Sequence, residues 1–411
     1  MIYKDTERHY MTTKNKIDNK KAFEKFEAAA QLLEGSRGEI GIFAGSGERY
    51  WNQYWTRDFA LALAPAIMDY FPRSERLSRK RITGLVDEHL DELASRQGKS
   101  GAIPILFADF PELVLRKLKK AVYKDGRLDL GKSFVAQRIF AGLLGDKDKF
   151  PEFADFGNDE QRGLYRLTPG TTDSELMFAY AVYSMGARRF FPQADKAVAY
   201  LEANYMKDGL HHGADWRDTM EVFFRDKPLL SNNAILHTVY QMQGAYEKAG
   251  ALNKKVHQLL WDSGRQTYLD YPGATRFDPL GGALGVLCGL IPTENYRYVI
   301  RGFKSVDTTQ GVTIQCKHNP YLLGEREVIE RTGGVVVWPF VVGFTVLAAL
   351  KIGADEFALD QFNKFVRLDG FGEWYDPADG NKWGEFEQGW SAALYIRAFQ
   401  ALARKGLLQG D

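Results

Sequence analysis

The stretch 333–350 constrains the fold most strongly, because it contains no charged residue over 18 consecutive positions. That length is the lower limit for a helix that spans a membrane. However, Pro339 and three glycines interrupt the stretch, and its flanks lack clear interfacial anchors. A helix that is apolar on every side must be enclosed by other elements. The sequence therefore predicts a fully buried helix here and no association with a membrane.

The segment 75–96 shows the opposite pattern. It is rich in charge, and five aliphatic residues between Ile82 and Leu93 lie on one stripe, which is typical of an amphipathic surface helix. Helical periodicity recurs along the chain, whereas strand signals are short and occur at 266–271 and 311–315. Helices are predicted at 22–33, 57–70, 75–96, 111–123, 131–144, 172–191, 192–205, 231–249, 253–263, 282–290, 293–303, 336–352, 354–367 and 388–405.

Apolar helices that alternate with two-faced helices fit two concentric rings, with the apolar helices inside. We therefore predict an all-α fold, an (α/α)6 barrel, with minor short β elements in its loops. An irregular helical bundle is the plain alternative. No Pro/Gly/Ser-rich linker divides the chain, so residues 21–411 are expected to form a single barrel domain after a polar extension, residues 1–20.

Composition excludes several classes of function. The 54 Lys and Arg residues nearly balance 53 Asp and Glu residues, which argues against nucleic acid as the main partner. Two cysteines cannot build a disulfide framework. The first residues lack the apolar region of a secretory signal, so a cytoplasmic location is expected. The chain contains no phosphate-binding loop, no H-E-x-x-H and no G-x-S-x-G, and we predict no cofactor.

The segment 50–58 places Trp55, Arg57 and Asp58 at the start of a predicted helix. An Arg and an Asp together can donate to and accept from neighbouring sugar hydroxyls, and an indole face can cover the C–H surface of a sugar ring. The ordinary alternative is an Asp that caps the positive end of the helix and has an Arg partner.

In a second loop, Asp215 and Asp218 flank Trp216 and Arg217. A carboxyl group packed against an indole in an apolar pocket has a raised pKa, because burial disfavours the charged form. A general acid needs such a pKa at neutral pH. The ordinary alternative is a loop with a solvated Asp and one Arg–Asp pair.

A third cluster places Glu373 beside Trp374, just before a Pro-Ala-Asp-Gly turn, and it continues to Gln388 and Trp390 at the start of the last helix. A surface turn with solvated acids is the alternative here. Paired carboxylates with Trp residues in several loops are the equipment of glycoside hydrolysis.

Two weaker elements accompany these loops. Asp173 lies in a Thr-Thr-Asp-Ser-Glu sequence that by itself indicates a helix N-cap, and Trp338-Pro339 is an ordinary helix start.

Taken together, these elements resemble a group of (α/α)6-barrel glycosidases: glucoamylases, the amylo-1,6-glucosidase part of glycogen debranching enzymes, the processing-glucosidase and trehalase families, and neutral invertases. The resemblance covers about residues 50 to 400, and no one family matches throughout. The matching elements, in chain order, are Trp55-Thr56-Arg57-Asp58, Ala214-Asp215-Trp216-Arg217-Asp218, Trp338-Pro339, and Glu373-Trp374-Tyr375-Asp376-Pro377 followed by Gly389-Trp390-Ser391-Ala392-Ala393.

The resemblance implies roles for individual residues. In these families the W-x-R-D element binds terminal sugar hydroxyls in the −1 subsite, which implies that role for Arg57 and Asp58. The E-x-Y-[DN]-P element carries the general base, which corresponds to Glu373. The resemblance also suggests a set of further substrate-binding residues: Trp55, Asp215, Trp216, Arg217, Trp338, Tyr375, Gln388 and Trp390.

The general acid is less clearly implied. In the trehalase-like pattern the acid follows Gly-Trp, whereas this chain has Asp-Trp-Arg-Asp at the corresponding place. The debranching-type pattern is Trp-x-Asp, which Asp218 matches. We therefore favour Asp218 over Asp215 as the general acid. Neutral invertases place an acid in Asp-Ser-x-Leu, which matches Asp173. Asp173 is therefore either a −1 subsite ligand or the acid itself.

These assignments predict an inverting glycoside hydrolase that acts on an α-glucosidic bond of an oligosaccharide or a small glucoside. A sugar 2-epimerase of the same fold is an alternative from another enzyme class, with His211 and His212 as the close histidine pair. Since adjacent His side chains diverge on most backbones, this pair predicts no metal site. A carbohydrate-binding barrel without activity is the third possibility.

Overall fold

A computed structural model of the protein describes residues 17–38, 41–47, 50, 53–70, 79–104, 106–108, 173–213, 226–315 and 331–408. The predicted helices at 111–123 and 131–144 lie outside these ranges. Within them, helix α2 is continuous but changes its winding, from α-helical Thr56–Asp58 through π-helical Phe59–Leu63 to α-helical Ala64–Tyr70.

The remaining helices, in chain order, are α1 Asn19–Gly35, α3 Arg79–Ser95, α4 Asp173–Ser184, α5 Phe191–Tyr205, α6 Leu230–Met242, α7 Tyr246–Leu260, α8 Pro279–Leu287, α9 Tyr296–Ser305, α10 Pro339–Ile352, α11 Asp355–Arg367 and α12 Gly389–Arg404.

The even-numbered helices form a closed inner ring. α2 packs against α4, α4 against α6, and so on through α8, α10 and α12, and α12 packs back against α2. The odd-numbered helices lie outside this ring: α3, α5, α7, α9 and α11 each pack on the preceding inner helix, and α1 packs on α12. This arrangement of six inner and six outer helices, all within the described ranges, confirms the predicted (α/α)6 barrel.

Helix α10 shows why the uncharged stretch occurs in the sequence. It contacts α8 and α12 in the inner ring and α11 outside, so every face of the helix is covered. A Cβ on Gly343 would lie 2.6 Å from Cβ of Leu394, so glycine permits the close approach of α10 to α12. Among the described residues, no helix is both long and apolar enough to cross a membrane.

The two ends of the barrel differ. Links from an inner helix to the next outer helix are short, such as 243–245 and 353–354. Links from an outer helix to an inner helix are longer and carry antiparallel two-stranded sheets. These sheets are β1 Gln53–Trp55 with β2 Leu106–Ala108, β3 Met206–Lys207 with β4 Leu210–His211, β5 Trp261–Asp262 with β6 Thr267–Tyr268, β7 Ile314–Gln315 with β8 Val335–Val336, and β9 Trp374–Tyr375 with β10 Lys382–Trp383. The described parts of these long links therefore lie at the end where the inner helices begin.

Two helix boundaries were predicted wrongly. The helix expected at 172–191 ends at Ser184, and Gly186 adopts a φ of +65° in the turn that follows. The single helix expected at 231–249 is two helices, because α6 ends at Met242 and α7 begins at Tyr246. Gly244 adopts a φ of +76° there, and the amide of Ala245 donates to the carbonyl of Tyr240 at 2.8 Å. This is a glycine-dependent helix end, so the helix expected at 253–263 is the second part of α7.

Candidate active site

The predicted site residues in the described ranges share one end of the barrel. Arg57 and Asp58 lie in the first turn of α2, and Asp173 is the first residue of α4. Trp338 directly precedes α10, and Gln388 directly precedes α12. Because inner helices that begin at the same end direct their first residues toward the same opening, the ring brings together side chains that are far apart in sequence.

Glu373 is a carboxylate at this end whose two oxygens are both hydrogen-bonded. Its side chain is buried, and Oε1 accepts a hydrogen bond from Tyr50 Oη at 2.8 Å. Oε2 accepts a second bond from the backbone amide of Glu385 at 2.9 Å, and the amide of Glu373 donates in return to the carbonyl of Glu385 at 2.7 Å. These bonds fix both oxygens of the carboxylate in one orientation.

A glycine makes room for this carboxylate. Gly384 has a φ of +75°, and a Cβ at this position would lie 2.5 Å from Oε2 of Glu373. A residue with a side chain would therefore be strained by its backbone and would also displace the carboxylate. The turn that contains Gly384 is consequently part of the support of Glu373.

Asp58 is buried and accepts a 3.3 Å hydrogen bond from Gln388 Nε2. Burial raises the pKa of Asp58 to about 8; the Arg57 guanidinium opposes this, and the carboxylates of Glu373 and Asp173 add to it. At neutral pH the side chain of Asp58 therefore carries a proton for most of the time, and it can donate as well as accept a hydrogen bond.

Arg57 and Asp173 form a buried ion pair between α2 and α4. Nε of Arg57 donates to Oδ2 of Asp173, and the two side chains are 4% and 0% exposed. The pair joins the first turns of two neighbouring inner helices. It therefore links α2 to α4 at the end where the candidate residues gather.

Aromatic side chains surround these polar groups. Trp55 donates from Nε1 to Gln53 Oε1 at 3.1 Å, and its ring meets that of Tyr50 edge to face, with centroids 6.0 Å apart. Trp390, at the start of α12, lies between two aromatic neighbours. It stacks on Phe340 at 4.2 Å and meets Trp338 edge to face at 5.3 Å. The candidate site thus has aromatic walls at α2, α10 and α12.

The hydroxyl of Tyr375 is used within the protein. It donates to the carbonyl of Asp369 at 2.6 Å and accepts from the amide of Gly372 at 2.8 Å. Asp376, the next residue, forms an ion pair with Arg331 and accepts from the amide of Ala378. These contacts shape the turn that follows Glu373.

Asp215, Trp216, Arg217 and Asp218 lie in the segment 214–225, outside the described residues. The two ends of this segment are held together, since the amide of Gly213 donates to the carbonyl of Lys227 at 3.0 Å. The described residues on either side of the segment, Gly213 and Lys227, therefore lie just before α6, at the same end of the barrel as Glu373.

The two adjacent histidines do not converge. His211 is fully buried in β4, where the side-chain amide of Asn233 bonds to its backbone at 2.9 and 3.0 Å. His212 Nδ1 instead contacts the carbonyl of Asp226 at 2.8 Å, near the surface. In the parts of the chain that the structure describes, no group of His, Cys, Asp and Glu side chains is arranged to hold a metal ion.

Two residues of this arrangement were not selected from the sequence. Tyr50 and Glu385 both lie in segments that contain predicted site residues. Their contacts with Glu373 join positions that are 323 and 12 residues apart in the sequence, so no local pattern indicates them. The local sequence signal for this arrangement is Gly384, which lies between stretches of aromatic and acidic residues. An isolated glycine often marks a place where another part of the protein approaches the backbone closely.

No family model and no curated protein matches this sequence. Solved structures, by contrast, match nearly the whole chain. A GH63 mannosylglycerate hydrolase from Thermus thermophilus in complex with glucose has a TM-score of 0.58 at 13% identity, covering 92% of this chain and 99% of that chain. A variant glycosidase in complex with glucose has a TM-score of 0.57 at 16% identity, covering 95% and 99%.

A rhamnosidase from Klebsiella oxytoca with rhamnose bound has a TM-score of 0.58 at 14% identity, and the match covers 96% of this chain and 65% of that chain. At such identities the similarity establishes the fold alone. The protein is an (α/α)6 barrel, and its fold is shared with solved glycosidases.

Proposed function

We propose that this protein is a glycoside hydrolase that cleaves an α-glucosidic bond with inversion, with Glu373 as general base and Asp218 as general acid. The observation that carries the proposal is the buried carboxylate of Glu373. Tyr50 and the amide of Glu385 hold this carboxylate by hydrogen bonds, and it is close enough to Asp58 to raise the pKa of Asp58. The shared fold with glycosidases supports it, and so does the sugar in several of those structures.

The reaction follows from the two carboxyl groups. Glu373 takes a proton from a water molecule, and the oxygen of that water attacks the anomeric carbon. At the same time the bond between the anomeric carbon and the glycosidic oxygen breaks, and Asp218 gives its proton to that oxygen. The attacking water needs room on the opposite face of the sugar. Inversion therefore requires the carboxyl groups of Asp218 and Glu373 to lie about 6.5–9.5 Å apart.

The other polar residues would hold the terminal sugar. The protonated carboxyl of Asp58 can donate to one hydroxyl, and the guanidinium of Arg57 can donate to another. The ion pair with Arg57 favours the charged form of Asp173, since a nearby cation stabilises a carboxylate. A general acid must instead carry a proton, so we assign Asp173 to positioning Arg57 and keep Asp218 as the acid.

The substrate class follows from the same residues. Aromatic walls at Trp338 and Trp390 suit the C–H faces of a sugar ring. We propose an oligosaccharide or small glucoside as substrate. Glucose is preferred on two grounds, the resemblance to α-glucosidases and the bound glucose in two of the matching structures.

The proposal is tested by substitution of the two carboxylates. Turnover of aryl α- and β-glycosides, trehalose, sucrose and α-1,6 oligosaccharides should reveal an α-glucoside substrate. With that substrate, Glu373→Gln and Asp218→Asn should each lower kcat by about 100-fold or more.

Glu387→Gln is the matched control, because the side chain of Glu387 is exposed and, among the described residues, accepts a hydrogen bond from Ser46. Its activity should match that of the wild type. Full activity in both carboxylate variants would disprove the assignment.

A further inference from the structure

The middle of the barrel, about two helical turns below the candidate active site, contains an arginine without a carboxylate partner among the described residues. Arg397 lies in the middle of α12, and its Nη1 donates to the carbonyl of Leu61 at 3.2 Å. Asp69, an acidic residue close enough to affect the pKa of Arg397, pairs instead with Arg404 at 3.3 Å. Among the described residues, no carboxylate lies within ion-pair distance of Arg397.

Most of the guanidinium is available. An arginine has five N–H donors, and the bond to Leu61 uses one. The structure shows no acceptor for the others in the described part of the chain. The side chain of Arg397 is partly buried, and this burial lowers the pKa of its guanidinium. A buried charge is costly unless something compensates it.

Tyr180, on α4, brings a second donor to the same place. Burial raises the pKa of Tyr180 to about 12; Cys288 at the end of α8 raises it further, and Arg397 on α12 lowers it. Neither α8 nor α12 is beside α4 in the inner ring. Because the phenol group of Tyr180 is close to residues on two helices across the ring, it lies toward the barrel axis. The described residues offer no hydrogen-bond partner for its hydroxyl.

This level of the barrel is accessible to solvent. Seven to nine residues after the first residue of each inner helix, which is about 12 Å along the helix, the structure has a side chain that is only partly buried; at α8 this residue directly follows the end of the helix. These residues are Pro65, Tyr180, Thr238, Cys288, Leu347 and Arg397. Since most neighbours on the same helices are fully buried, the partly buried side chains outline a recess on the axis, which we call the axial recess.

The surrounding charges are predominantly positive. Lys351 donates to the carbonyl of Leu287 at 3.1 Å and is close enough to affect the Cys288 thiol. Asp69 forms an ion pair with Arg404, so it does not form one with Arg397. A guanidinium binds carboxylate and phosphate oxygens with two parallel N–H groups, and a phenol hydroxyl can donate a third bond.

We propose that the axial recess binds a small oxyanion, a carboxylate or a phosphate, between the guanidinium of Arg397 and the hydroxyl of Tyr180. This site is about two helical turns below the first residues of the inner helices. It does not depend on the glycosidase proposal, because none of its residues contributes to the candidate active site.

Isothermal titration of the full chain with inorganic phosphate and with acetate tests the proposal and distinguishes the two anion types. We expect saturable binding of at least one of them. Arg397→Met should weaken this binding at least tenfold, and Tyr180→Phe should weaken it several-fold. Arg189→Gln is the matched control, because Arg189 is an exposed arginine that pairs with Asp91 on an outer helix, and the affinity of this variant should stay close to that of the wild type.

Two results would overturn the proposal: no saturable binding of either anion to the wild type, or equal affinity in the wild type, Arg397→Met and Tyr180→Phe. If Arg397→Met fails to fold, Tyr180→Phe alone decides, because it removes one hydroxyl and keeps the ring. A crystal grown with selenate gives an independent answer: an anomalous peak between Arg397 and Tyr180 supports the site, and ordered water alone contradicts it.

Discussion

Glu373 and Glu385 are joined by two reciprocal hydrogen bonds: the amide of Glu385 donates to Oε2 of Glu373 at 2.9 Å, and the amide of Glu373 donates to the carbonyl of Glu385 at 2.7 Å. The side chain of Glu385 in turn accepts from the amides of Phe386 and Glu387. A turn with this many internal bonds holds the carboxylate of Glu373 without help from a substrate.

Gly384→Ala should disrupt this turn. The new Cβ would lie 2.5 Å from Oε2 of Glu373, so the carboxylate must move, and we expect kcat to fall at least tenfold. Gly406→Ala is the control, because Gly406 has a similar φ of +69° and open space around it. Both variants should lose about 1 kcal/mol of stability in urea unfolding. Equal activity in the two would contradict the role of the turn.

Tyr50→Phe should lower kcat by about tenfold with little change in KM. The substitution removes the donor to Oε1 of Glu373, and a hydrogen bond to a charged group contributes about 1.5–3 kcal/mol. Steady-state kinetics on the best α-glucoside measure the effect. Tyr246→Phe is the control, because Tyr246 is 70% exposed. A purely higher KM would mean that Tyr50 contacts the substrate rather than the base.

Asp58→Asn should change how stability depends on pH. The carboxyl of Asp58 has a pKa of about 8 in the folded protein and an ordinary value of 3.8 when unfolded. Between these values the unfolded state loses the proton while the folded state keeps it, so the wild type loses stability as pH rises from about 4 to 8.

An asparagine does not titrate, so this loss should be absent in Asp58→Asn. The stability of the variant relative to the wild type should rise by up to about 1.4 kcal/mol per pH unit over that range. Urea unfolding of both proteins at pH 5, 6, 7 and 8 measures the difference. A difference that does not vary with pH would show that Asp58 has an ordinary pKa.

Arg57→Ala should destabilise the protein by about 3–5 kcal/mol, because it leaves the fully buried carboxylate of Asp173 without its counter-ion. Arg189→Gln is the comparison. Arg189 pairs with Asp91 at 2.7 Å, but both side chains are more than half exposed, so the loss should stay below about 1 kcal/mol. Similar unfolding free energies for the two variants would argue against a buried pair.

The helices could be predicted from the sequence because their signal is local. The uncharged stretch at 333–350 forms the enclosed α10, and the two-faced segment at 75–96 contains α3. The break at Gly244 was missed, because the apolar pattern continues across it and only the φ of +76° reveals the turn. The spacing of apolar residues indicates which face of a helix is buried, but it does not indicate where the helix ends.

The candidate site could be predicted in part. Trp, Arg and Asp in loops are unusual enough to indicate chemistry, and the residues chosen at α2, α4 and α12 meet at one end of the ring. Their partners were beyond prediction. Arg57 and Asp173 are 116 positions apart, and Tyr50 and Glu373 are 323 apart. Such pairs exist only because the ring closes, and no local pattern encodes that closure.

The configuration of the first product tests the central proposal most directly. If Glu373 activates water on the face opposite the leaving group, hydrolysis of an α-glucoside must release the β-anomer of glucose first. Proton NMR of the anomeric signals, recorded before mutarotation equilibrates them, measures this. The proposal predicts an initial excess of the β-anomer. An initial excess of the α-anomer would mean retention, and Glu373 could not then be the base of an inverting reaction.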